Sequence, residues 1–130
     1  MGIRKIRELA ELFKGEWVVN ELMPKVNEIY NLEKQGYLYR MCCIYSMSAV
    51  SSQLSKDQIS QHVTPILVKA CKDNIPNVKF CVAKAIKELH SADKFDGNSV
   101  NQLKELLKTM TSDSDRDVAY FATVALQGMN

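Results

Sequence analysis

The 130 residues suffice for one domain or a short repeat array. An apolar fraction of 46% and a charged fraction of 25% describe an ordinary globular chain, and the net charge of +2 lacks the basic excess of a nucleic-acid binder. No apolar run approaches the roughly 20 residues that cross a membrane, so neither nucleic acid nor membrane is an expected partner.

Apolar and charged residues alternate at helical spacing from the start. This predicts a helix over about 3–14, with Ile3, Ile6, Leu9, Leu12 and Phe13 on one stripe and Gly15 as its stop. It lacks the continuous apolar core of a signal peptide. A second helix over 16–30 turns Trp17, Leu22, Val26 and Ile29 inward, and a loop over 31–36 follows. The third, over 37–53, carries apolar residues on most sides, as a helix with neighbours on both flanks does. Ser55 and Gln58 have capping-box spacing and open a fourth helix to about Lys72. A turn over 73–76 leads to a fifth helix ending near His90, with Pro76 where a helix start tolerates it. After a break at 91–98, Ser99 and Gln102 offer another capping box for a sixth helix to Thr111. An aspartate-rich turn over 112–116 precedes a seventh, over 117–129. No stretch reads as strand, so the fold class is all-α.

The helices repeat. At a spacing of about 40 residues, Tyr37, Asn77 and Asp117 form a column, followed by Leu38, Val78, Val118; Met41, Cys81, Phe121; Cys42, Val82, Ala122; Tyr45, Ala85, Ala125; and Ser46, Ile86, Leu126. Only Ser46 interrupts this apolar stripe. Val63, Ile66, Leu67 and Ala70 match Leu103, Leu106, Leu107 and Met110 in the helices just upstream. Paired helices at this period are the signature of an α-solenoid of HEAT or armadillo type, an architecture that presents long protein-binding surfaces. The division expected is an unpaired helix of a truncated repeat at 1–15, then repeats at 16–54, 55–92 and 93–130. Pro24 and Pro65 stand at matching phase in the first helices of two successive pairs and predict a kink in each. Glu105 occupies that place in the third pair, whose helix should run straighter.

Residue chemistry points away from catalysis. Cys42, Cys43, Cys71 and Cys81 lack metal-ligand spacing, and His62 and His90 are badly placed to help, so buried free thiols are expected. Asp113, Asp115 and Asp117 alternate like a calcium loop but lack its glycine and closing glutamate, which leaves helix capping. No nucleophile elbow, phosphate loop or carboxylate pair is present, so no catalytic, metal or cofactor site is expected.

Three stretches resemble the last HEAT repeats of the scaffold (A) subunit of protein phosphatase 2A: Gly36 to Met41, Asn77 to Lys84, and Asp117 to Ala122. Trp17 with Met23, Pro24, Lys25 and Val26 looks like an outer helix of the same region. The resemblance runs from Ile3 onward, and Met1 and Gly2 then read as the start of a trimmed fragment. It implies a non-enzymatic scaffold without cofactors, placed in the cytoplasm with the nucleus also open. Its turns would hold the phosphatase catalytic subunit, and a regulatory subunit would join in the full assembly. Carried over by position, the contacts are Tyr37, Arg40, Ile75, Asn77 and Lys79. Lys79 replaces a usual Arg, and Ala119 a usual Lys with Arg116 nearby. Lys79 could equally pair with Asp73 inside the stack. Arg40 is expected on the surface, its removal changing stability by no more than about 0.5 kcal/mol.

Two other functions fit such an array: a HEAT adaptor of another system such as a nuclear transport receptor, and a HEAT-like enzyme that excises damaged bases. The latter wants a basic, aromatic concave face, and the inner helices show no basic stripe. The apolar stripe of the first helix also predicts weak self-association through that end.

Overall fold

The computed structural model describes residues 7–8, 17–30 and 36–129. The helix expected over about 3–14 and most of the loop over 31–36 lie outside this range. The described residues fold into seven α-helices: α1 (Met23–Tyr30), α2 (Tyr37–Val50), α3 (Lys56–His62), α4 (Thr64–Cys71), α5 (Pro76–Ser91), α6 (Gly97–Met110) and α7 (Arg116–Gly128). A π-helical turn over Val18–Leu22 leads into α1, and a 3₁₀ turn over Ser51–Gln53 closes α2. Among the described residues there is no strand, and no helix is long and apolar enough to cross a membrane.

Each outer helix packs on the inner helix that follows it: α1 on α2, α4 on α5, α6 on α7. The inner helices α2, α5 and α7 then stack in a row with α5 central, while α4 packs against α6. Val78, Val82, Ile86, Leu103, Leu107, Val118 and Ala122 form the fully buried seam between them. Short side chains at Ala83, Ala85, Ala122 and Ala125 leave the room that close helix approach requires.

Both prolines act as their position demands, by different routes. Before Pro24 the backbone widens by one residue, and the Met23 amide donates to the Val18 carbonyl in a π turn. Pro24 has no N–H and its ring would crowd the preceding turn, so the wider register relieves both conflicts. At Pro65 the chain breaks instead: α3 ends at His62 and α4 restarts at Thr64, with Pro65 in its first turn. The equivalent helix α6, with Glu105, is continuous from Gly97 to Met110. Ser55 and Gln58 form the expected reciprocal capping box, with bonds of 3.2 and 2.9 Å.

Two expectations are corrected. The cap of α6 is Asp96 and not Ser99: its carboxylate accepts from the Ser99 amide at 2.8 Å, and the buried Ser99 hydroxyl lies 3.1 Å from that of Thr64, tying α6 to α4. More consequential is the register of α2. The helices start at Tyr37, Pro76 and Arg116, so the first copy stands one residue closer to the second than the second does to the third. The side chains agree. Cys43, Ile44, Ser46, Met47 and Val50 are buried, and they match Val82, Ala83, Ala85, Ile86 and Leu89. Leu38, Tyr39, Cys42 and Tyr45 are exposed, so Leu38 and Tyr45 leave the core columns assigned to them and Cys42 is not a buried thiol. A shift of one residue turns a helix by about 100°. The stripe that wins carries Ile44, Met47 and Val50, each no more than 1% exposed, and continues into buried Leu54.

Ile86 lies at the centre of the row and is fully buried. Its truncation to Ala should cost about 2–5 kcal/mol through lost burial and the cavity left. Thermal unfolding of Ile86→Ala checks this; a transition within a degree or so of the parent would contradict the packing described.

Candidate partner-binding ridge

The turns inside the second and third helix pairs, at 72–75 and 111–115, recur at one phase of the repeat and therefore share one edge of the stack. The second and third are built alike. Asp73 accepts the Ile75 amide on Oδ1 at 2.9 Å, closing an Asx turn just before α5. Asp113 accepts the Asp115 amide on Oδ1 at 2.9 Å, closing the same turn before α7. Each aspartate also takes a cation from the inner helix of the preceding pair. Arg40 on α2 donates to Asp73 in a two-pronged pair, Nε to Oδ2 at 2.7 Å and Nη2 to Oδ1 at 3.2 Å. Lys79 on α5 donates from Nζ to Asp113 Oδ2 at 2.7 Å.

Lys79 therefore pairs with Asp113 of the following turn and not with Asp73, which Arg40 and the Ile75 amide already occupy. The reason is the direction of stacking. A side chain near the start of an inner helix faces the next copy's turn, while its own turn faces back. Arg40 is likewise less of a surface residue than expected: its side chain is 23% exposed and its partner Asp73 only 9%. The ladder ends at Ala119, the position after Arg40 and Lys79 in this series. Asp115 caps α7 by accepting the Asp117 and Val118 amides, so Asp113 and Asp115 spend oxygens on backbone N–H groups, as helix-capping acids do.

The five residues carried over by resemblance separate into two environments. Arg40, Ile75 and Lys79 are half-buried, and Arg40 is joined to Ile75 through Asp73. Ile75 packs against the core edge. Tyr37 and Asn77 are exposed in the first turns of α2 and α5. Trp17 is half-buried and packs against the core. The double role of Asp73 and Asp113 was not read from the sequence, though an Asp two residues before the helix cap in both turns was its visible trace.

The Lys79 hydrogen bond, and then the Asp115 amide, hold the Asp113 carboxyl below the usual carboxylate range. Burial pushes the Cys43 thiol up to about 11 and the Cys71 thiol up to about 12, which leaves both protonated and unreactive at neutral pH.

The turns and paired helices at this period define a HEAT-repeat solenoid. No family model matches the chain. It is 25% identical over 125 residues, 92% of its length, to the regulatory (A) subunit of protein phosphatase PP2A from Saccharomyces cerevisiae. It is 36% identical over 64 residues, 49% of its length, to the protein of the same name from Schizosaccharomyces pombe. These alignments support the resemblance to the phosphatase 2A scaffold. The chain spans 20% of the first relative and 11% of the second.

Two outcomes follow from the ladder. Removing Arg40 strands a largely buried carboxylate, so Arg40→Ala should destabilise by about 1–3 kcal/mol in urea unfolding, well above a surface effect. The lowered Asp113 carboxyl stabilises the fold above the ordinary value of about 4 and loses that contribution as pH falls through the lowered value. The stability gap between the parent and Asp113→Ala should therefore narrow on acidification. A gap unchanged down to about pH 2 would show that the ionised carboxylate plays no part.

Proposed function

We propose that this chain is a non-catalytic scaffold segment of a type 2A serine/threonine protein phosphatase, and that its ridge of turns docks the catalytic subunit. The observation that carries the reading is the paired construction of the turns. Asp73 and Asp113 fix the turns at constant spacing along one edge, as a binding ridge requires, and both relatives carry the name of the PP2A regulatory (A) subunit. In this reading Tyr37 and Asn77 meet the partner directly, Ile75 contributes apolar area, and Arg40 and Lys79 hold the turns in place while offering their remaining donors. A regulatory subunit belongs to the full assembly and sits elsewhere on it. The setting is the cytoplasm or nucleus. No cofactor takes part.

The test is the affinity of a purified phosphatase catalytic subunit for this chain and its ridge variants. Tyr37→Ala, Ile75→Ala and Asn77→Asp should each weaken binding by about thirtyfold where the residue is a true anchor, since hot spots carry about 2 kcal/mol or more. Lys108→Ala is the control, because Lys108 is exposed on outer helix α6 and, among the described residues, its ammonium pairs with Glu105 beside it. Normal binding by all three ridge variants would place the site elsewhere.

The same reading includes weak self-association through the N-terminal end of the chain; among the described residues, exposed apolar side chains on that side lie on α1 and α2. Leu38 and Tyr39 are more than half exposed there, and Ile29 is 39% exposed. A groove of about 180 Å³ opens between α1 and α2, lined by Leu22, Val26, Ile29 and Tyr39 among others. Sedimentation over a wide concentration range should show a rising average mass that Leu38→Lys abolishes; a constant monomer mass contradicts it.

A further inference from the structure

Away from the ridge, the inner helices carry a second constellation. Phe80 on α5 and Phe121 on α7 meet edge to face with ring centroids 4.6 Å apart, and Tyr120 stands against Phe121 at 5.1 Å. The Lys84 ammonium lies over both phenylalanine rings, 5.2 Å from Phe80 and 5.8 Å from Phe121. Beside them a groove of about 480 Å³ opens, lined by Lys84, Lys87, Glu88, Ser91, Ala92 and Phe121. Tyr120 is 61% exposed, a large aromatic surface for a residue with no core role.

The charges on this groove do not cancel. Lys84 and Lys87 are exposed, and among the described residues neither makes an ion pair; Glu88 is the one carboxylate on the wall. An ammonium drawn over aromatic faces is held in place, so a carboxylate arriving there orders less than at a freely moving lysine. An exposed aromatic such as Tyr120 is also a residue type enriched at interface centres. We propose that this groove is a docking site for a partner segment in which an apolar side chain is flanked by carboxylates. The apolar residue lies against Phe121 and Tyr120, and the acids reach Lys84 and Lys87. The site lies along α5 and α7, apart from the turns at their N-terminal ends, and does not depend on which partner the ridge takes.

The probe is a blocked, fluorescently labelled peptide with a central Phe flanked on both sides by Asp and Glu, titrated into the full chain at low salt. Binding is read by anisotropy and mapped by amide chemical shifts. The expected result is saturable binding that perturbs α5 and α7 near Lys84 and Phe121. Combined Lys84→Glu and Lys87→Glu should weaken it by at least about tenfold, as should exchanging the peptide's Phe for Ser. Tyr120→Ala should weaken it too, while Tyr37→Ala on the ridge should leave it unchanged. These residues are exposed, and circular dichroism of each variant would check that it stays folded. No binding at millimolar peptide overturns the proposal, as do shifts confined to another face. Equal binding by an amidated peptide or by single-stranded DNA also overturns it, by showing that no acidic peptide is selected.

Discussion

A carboxylate that serves its own turn and the preceding inner helix at once sets the geometry of the edge. Asp73 and Asp113 each close their own turn through a backbone amide and receive a cation from the helix pair before. Apolar stripes press the inner helices together, but burial is non-directional, and a surface of Ala, Val and Cys leaves sliding and rotation only loosely opposed. Short ion pairs from the starts of α2 and α5 to the turn that follows each oppose both. They also lie on the edge where the turns emerge, so the bonds that set the repeat spacing set the spacing of the ridge. The two rungs differ in kind: Arg40 grips its aspartate with two donors and Lys79 with one, which makes the first rung the more directional.

The outer helices show how the same constraint is met by unlike local structures. Pro24 widens the helix before it into a π turn, Pro65 breaks its helix into two, and the helix with Glu105 runs without interruption. All three still deliver an apolar face to the following inner helix. Binding of α6 back to α4 through Ser99 and Thr64 adds a buried polar contact between outer helices. The variation falls on the outer side of the array and leaves the row of inner helices regular.

Much of this was legible in the sequence. The helix pairs, the Ser55 cap and an irregularity at each proline follow from spacing and backbone chemistry; that Pro24 gives a π turn and Pro65 a break does not. The register of α2 did not. Apolar residues surround that helix, so Leu38, Cys42 and Tyr45 fit a stripe as well as Cys43, Met47 and Val50 do, and packing against α5 makes the choice. The same one-residue slip hid Arg40 as the counterpart of Lys79. The partner of Lys79 was also invisible, because Asp73 and Asp113 are equivalent in sequence and only the direction of stacking tells them apart. Of the ridge residues, the structure places Tyr37 and Asn77 on the surface as binding would need, and shows Arg40 and Lys79 committed first to the stack.

A double-mutant cycle across Arg40 and Asp73 tests most directly whether these rungs hold the edge together. Stabilities of the parent, Arg40→Ala, Asp73→Ala and the double variant would be measured by urea unfolding at neutral pH. Two charge-assisted hydrogen bonds in a half-buried setting predict a coupling of about 1–3 kcal/mol, with the double variant less destabilised than the sum of the singles. Strict additivity within about 0.3 kcal/mol would show that the contact contributes nothing of its own, and that apolar packing alone sets the spacing of the turns.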